Sequence, residues 1–157
     1  GLSQDLEISV KEASEYIESY FATYPKIKEF LDKLVSDAKE QGYAKTLYLR
    51  RRPVPELLSS NFMQRGFGER IAMNSPIQGT AADIIKLAMI QVTRRFKKEN
   101  LESRLILQVH DELLIEAKMD EIERVKLILE EEMGQVVSLD VPLEIDVHEG
   151  KNWYDAK

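Results

Sequence analysis

Leu105-Ile106-Leu107-Gln108-Val109-His110-Asp111-Glu112-Leu113-Leu114-Ile115-Glu116-Ala117 sets two aliphatic runs on either side of three polar residues. Residues 105–109 and 113–117 each read as a buried strand, and the polar trio leaves room only for a tight antiparallel hairpin connection. Neighbouring residues of a regular strand point to opposite faces, so a turn is what lets both carboxylates approach one site. Two acids beside aliphatic residues cost folding energy unless they are solvated, paired or bound to a cation. Polar residues are also ordinary turn residues, so turn chemistry alone accounts for them. A hard divalent ion, Mg²⁺ or Mn²⁺, is the other partner that oxygen-only ligands suit, and it commonly shares them with substrate phosphates.

Working outward, Asp120 to about Val137 has the apolar spacing of a helix, with Ile122, Val125, Ile128, Leu129, Met133 and Val136 on one side. Pro142 to Val147 reads as a final strand, and Trp153-Tyr154 lie in a short tail. On the other side, Asn61–Asn74 and Ala81–Lys98 read as two helices, with Pro76 and Gly79 marking a break between them. Tyr43–Tyr48 suits a short strand, and Arg50-Arg51-Arg52-Pro53-Val54-Pro55 an exposed basic turn that its prolines keep irregular. Ser9 and Glu12 form a capping-box signature before a helix over 9–23. Pro25 starts a second helix that Gly42 stops, giving a helical hairpin whose aromatic residues are expected in the core. A helical region followed by two or three strands packed by helices is an α+β fold.

The 157 residues are 43% apolar and 32% charged, a globular composition. There is no apolar run of the ~18 residues a membrane span needs, and the start carries no leader pattern. The chain has no cysteine, which excludes disulfides and thiolate chemistry, and two histidines, His110 and His148, which cannot build a multi-histidine metal site. Any metal chemistry here rests on carboxylates. The net charge of −6 is segregated: residues 1–40 hold 5 basic and 9 acidic side chains, residues 41–104 hold 12 and 5, and residues 105–157 hold 5 and 14. The middle block is therefore basic and permits a phosphate-backbone partner, which responds to local field more than to overall charge. Arg70, Asn74 and Gln78 follow one another at four-residue steps, along one ridge if a helix persists through them. Arginine suits phosphates, and asparagine or glutamine suits base edges or sugars. A solvated polar face has the same spacing.

Taken together, Arg70-Ile71-Ala72-Met73-Asn74-Ser75-Pro76-Ile77-Gln78-Gly79-Thr80-Ala81-Ala82-Asp83 followed by Gln108-Val109-His110-Asp111-Glu112 resembles the bacterial family A DNA polymerases. Thr46-Leu47 before Arg50-Arg51-Arg52 and the ending Trp153-Tyr154-Asp155-Ala156-Lys157 match that family too, in order and across essentially the whole chain. The resemblance implies that residues 1–60 are the last part of a fingers subdomain and residues 61–157 the C-terminal part of a palm. It implies that Asp111 is a ligand of two catalytic Mg²⁺ or Mn²⁺ ions, that Glu112 assists beside them, and that His110 touches the primer end. Arg70, Asn74 and Gln78 then lie near the primer–template, Gln78 toward the minor groove, and Arg51 or Arg52 contacts the DNA backbone. Leu49 stands where the family pattern has glycine.

The implied partners are primer–template DNA, dNTPs and an upstream polymerase portion, in the bacterial cytoplasm near the nucleoid and with no membrane. That portion would bring a second metal-binding aspartate and a nucleotide-binding fingers helix, for which no motif occurs here. The isolated chain is accordingly expected to bind DNA weakly and to extend primers poorly, with a palm sheet that exposes an edge. A non-catalytic DNA-binding module and, third, a metal-dependent phosphohydrolase centred on His110 and Asp111 are the competing readings.

Overall fold

A computed structural model describes residues 2–156. The chain divides into two compact units, Gly1–Ile77 and Gln78–Lys157. Helices and two small antiparallel sheets make it α+β, as the hydrophobic periodicity requires.

The first unit opens with a short helix α1 (Leu2–Asp5), then α2 (Val10–Thr23) and α3 (Pro25–Gln41). The capping box forms: the Glu12 N–H donates to Ser9 Oγ at 3.1 Å and the Ser9 N–H to Glu12 Oε2 at 3.0 Å. The Ser9 hydroxyl, and next the Ser9 backbone N–H, hold the Glu12 carboxyl below its ordinary value. Pro25 occupies the first turn of α3, and Gly42 ends it in the left-handed region. The apolar stripes of α2 and α3 are present but are not core. Tyr16, Ile17, Tyr20, Tyr24, Ile27 and Phe30 are exposed, and in α2 only Ala13 is buried. Amphipathic spacing sets which face is apolar, whereas burial needs a covering element, and these residues have little here.

Strand β1 (Tyr43–Lys45) pairs antiparallel with β2 (Arg51–Pro53), so the basic stretch expected as an irregular turn is half a hairpin. Proline is tolerated because Pro53 closes the strand at its edge, where no ladder N–H is needed. The connecting residues are held by Thr46, whose hydroxyl accepts from the Arg50 N–H at 3.2 Å. Leu49 sits at φ 63°, in the left-handed region that favours glycine. A 3₁₀ turn (Pro55–Leu58) then leads to α4 (Phe62–Lys98). Gly68 lets that turn sit directly on the helix, since a Cβ there would stand 2.9 Å from the Leu57 nitrogen. Ala38, Ala44, Val54, Leu57 and Ala72 form the unit's core, with Val35 and Ile71 against it.

The break expected at Pro76 and Gly79 does not occur; α4 is one helix of 37 residues. Proline forfeits a helical hydrogen bond and crowds the preceding turn, but this turn is anchored from outside. Ala72 is wholly buried, Ser75 is buried, and Arg52 donates to Ser75 Oγ at 3.0 Å. Pro76 itself lines a small hollow with Leu34, Ala38, Tyr43 and Ala44.

In the second unit β3 (Arg104–Val109) pairs antiparallel with β4 (Glu112–Glu116), with an irregularity between Leu105 and Leu107. This sheet has two strands among the described residues, and Ile106 and Leu107 are exposed on it. Helix α5 (Ile122–Gly134) supplies Val125, Ile128 and Leu129 to a core shared with Val92 and Phe96 of α4, and Ile115 and Val147 pack against it. The segment from Pro142 to Val147, expected as a strand, forms none. Its half-buried residues Leu143, Ile145 and Val147 alternate with exposed ones. A strand also needs a ladder partner, and among the described residues none pairs with it.

A left-handed backbone costs an L-residue about 1–2 kcal/mol that glycine avoids. Leu49→Gly should therefore exceed Leu49→Ala in stability by about 1 kcal/mol in urea denaturation, and equal stability would contradict the strain assigned to this turn.

Candidate functional site

Two groups of residues can bear chemistry, one in each unit. In the second, Val109 pairs directly with Glu112, so the hairpin connection is two residues, His110 and Asp111, rather than three. Two-residue hairpin loops need positive φ at a central position, and His110 provides it at 52°. The Gln108 side chain donates to the His110 carbonyl at 2.6 Å and fastens that conformation. Asp111 thus sits on the turn and Glu112 is the first residue of β4, both exposed to solvent. Trp153 donates its indole N–H to Glu112 Oε2 at 3.3 Å. Sequence reading missed this residue and Gln108 as parts of the site, although both lie inside the motifs quoted for the family. Nothing in their spacing announced a contact across 41 positions.

The hairpin is tied down at its far end. Glu121, just before α5, accepts from the Glu102 N–H at 3.0 Å, the Ser103 N–H at 2.9 Å and the Ser103 hydroxyl at 2.6 Å. The Ser103 hydroxyl, with the backbone N–H of Glu102 next in weight, keeps the Glu121 carboxyl below its ordinary value. Ser103 Oγ in turn accepts from the Lys118 N–H at 3.0 Å. Behind it, Glu99 accepts from Arg124 at 2.5 Å and from Arg95, and Arg95 also donates to Glu132 at 2.9 Å. The basic run at the end of α4 is in this respect structural. Hydrogen bonds from Arg124 and then Arg95 lower the Glu99 carboxyl to about 2.

The basic group belongs to the first unit. Arg51 and Arg52 alternate across β2. Arg52 lies opposite buried Ala44 and reaches inward to Ser75, whereas Arg51 stacks its guanidinium 4.8 Å from the Tyr43 ring centroid. On α4, Arg70 and Asn74 are exposed one turn apart, Arg70 lying 5.8 Å from the Phe67 ring centroid. The Arg52–Ser75 bond brings the basic strand to the turn that carries Asn74. Gln78 is exposed one turn further along the same unbroken helix, as the first residue of the second unit. Among the described residues, no group of three or more histidine and carboxylate side chains is placed to hold a metal ion.

A chain with these motifs on an α+β frame belongs to DNA polymerase family A, whose sequence pattern matches residues 1–155. The chain is similar along its full length to the DNA polymerase I of Geobacillus stearothermophilus and that of Caldicellulosiruptor bescii, at 54% identity to each, and to that of Bacillus subtilis, at 50%. It spans 18% of the length of each of these relatives. A solved structure titled as the POL domain of Pol1 from M. smegmatis in complex with DNA primer-template and dNTP is also similar, with a TM-score of 0.96 and 46% identity, covering 99% of this chain and 28% of that one.

A carboxylate whose folded value is depressed stabilises the fold above its unfolded value and loses that contribution as pH falls. For Glu99 the window runs from the ordinary 4.5 down to about 2. The melting temperature of the chain should fall as pH falls through this range, and Glu99→Gln should be less stable at neutral pH with a shallower acid dependence. An acid profile unchanged by Glu99→Gln would contradict the assigned pairing.

Proposed function

We propose that this chain is the late-fingers (1–60) and C-terminal palm (61–157) part of a DNA-directed DNA polymerase, a nucleotidyltransferase that adds dNTPs to a primer in the 5′-to-3′ direction during replication or repair. The observation that carries this reading is the adjacent exposed pair Asp111, on the hairpin turn, and Glu112, the first residue of β4, in a chain of the polymerase family. The related M. smegmatis domain, described with primer-template and dNTP bound, supports it.

Asp111 and Glu112 offer oxygen donors alone, the donor type Mg²⁺ and Mn²⁺ take, and such ions commonly bind through one or two carboxylates together with substrate phosphates. The pair fits that role, and an upstream portion would contribute the further carboxylate. Two bound divalent ions supply activation of the primer hydroxyl and stabilisation of the leaving oxygen. In this reading Asp111 is the metal ligand, Glu112 assists it, and His110 meets the primer end. Arg70 and Asn74 hold the primer–template. Gln78 reaches minor-groove acceptors, which differ little between correct pairs and so suit a copying enzyme. Of the arginine triplet we assign the DNA-backbone contact to Arg51, because Arg52 is engaged inward by Ser75. The partners are primer–template DNA, dNTPs and the upstream polymerase portion, in the bacterial cytoplasm near the nucleoid. No helix among the described residues is long and apolar enough to cross a membrane.

Fluorescence anisotropy of a labelled primer–template across a salt series tests the binding half of this reading. Arg51→Ala should lower the slope of log K against log salt by about 1, as loss of one phosphate contact does. Gln78→Ala should weaken binding with the slope unchanged. Asp111→Ala should leave DNA binding in place and cut primer extension by the chain joined to its upstream portion at least about a hundredfold. Binding indifferent to Arg51 and Gln78 would overturn the DNA surface, and full extension by the Asp111 variant would overturn the catalytic role.

A further inference from the structure

The last described residues form a built element rather than a loose tail. Asn152 Nδ2 donates to Asp155 Oδ2 at 2.6 Å, the Asp155 N–H donates to Asn152 Oδ1 at 3.1 Å, and the Ala156 N–H donates to the Asn152 carbonyl at 3.2 Å. The turn closes on Gly150 so tightly that a Cβ there would lie 2.6 Å from the Ala156 nitrogen. This turn presents Trp153, the chain's one tryptophan, to Glu112. An indole has one donor and no acceptor, so toward a carboxylate it acts only as a holder.

We propose that Trp153 is a positioning residue: its indole N–H holds the Glu112 carboxylate through Oε2 in the orientation from which it assists Asp111. A glutamate on the first residue of an exposed strand otherwise has three free torsions, and ordering them at the moment of cation binding costs affinity. A bond to one carboxylate oxygen removes part of that cost and leaves the second oxygen to face a cation. The role rests on the metal reading of Asp111 and Glu112 given above, and groups that orient a ligand in this way typically change metal affinity by about 10–100-fold when removed.

Because there is a single tryptophan, the ¹⁵N-labelled chain gives one indole resonance, and Mn²⁺ is the probe. Glu112→Ala should move that resonance upfield and speed its exchange with solvent. Trp153→Phe, which keeps an aromatic ring and loses the N–H, should weaken Mn²⁺ binding about tenfold, read from paramagnetic broadening around residue 111. In a Glu112→Ala background the same substitution should have no further effect, whereas a merely structural role would weaken binding in both. Gly150→Ala alters neither side chain but displaces the turn, and it should reproduce the resonance shift and the weaker binding. An indole resonance indifferent to Glu112→Ala while Mn²⁺ still binds would overturn the positioning role alone. A resonance that responds to Glu112→Ala in a chain that Mn²⁺ does not broaden would overturn the metal reading, and the role with it.

Discussion

An isolated two-stranded hairpin is marginal in water, yet the chemistry proposed for this chain stands on the tip of one. What makes β3 and β4 a usable platform is the Glu121 carboxylate. It gathers the Glu102 and Ser103 N–H groups and the Ser103 hydroxyl, and so fixes the base of the hairpin to the start of α5. Ile115 adds apolar contact with the core that α4 and α5 share. At the other end Gln108 secures the strained His110, and Trp153 reaches the Glu112 carboxylate. Each contact orders a group that would otherwise have to be ordered when a ligand arrives, and preorganisation of this kind favours binding.

The same economy governs the basic surface of the first unit. The arginines of β2 divide by strand alternation, one turned to buried Ser75 and one stacked on Tyr43. The inward bond stabilises the turn of α4 that contains Pro76 and so keeps Arg70 and Asn74 on a regular helical surface. A proline that reads as punctuation becomes a tolerated helical residue because its neighbours are bonded and buried.

Local rules carried much of the fold. The capping box at Ser9 and Glu12, the proline start and glycine stop of α3, the aliphatic runs of β3 and β4 and the apolar side of α5 are all set by nearest neighbours and periodicity, so they were legible. The misreadings share one cause, which is that each depended on a partner in another segment. The continuity of α4 through Pro76 needs Arg52, the strand at Arg51–Pro53 needs β1, and Pro142–Val147 has no ladder partner among the described residues. Exposure of Tyr16, Tyr20 and Phe30 reflects sparse covering. At the site, Asp111 and Glu112 were visible as acids in an aliphatic hairpin with His110 beside them, and the family resemblance implied the roles proposed for them. Trp153 and Gln108 as supports were not visible, because a hydrogen bond between remote segments leaves no periodic trace.

Amide hydrogen exchange over residues 104–116 tests the central claim, that this hairpin is held as a rigid platform, most directly. Amides that bond across β3 and β4 should exchange within about tenfold of those of α5, because the two elements open as one cooperative unit. Glu121→Ala should separate them, with the hairpin exchanging first. Rapid exchange of the whole hairpin in the unaltered chain, with α5 still protected, would contradict it.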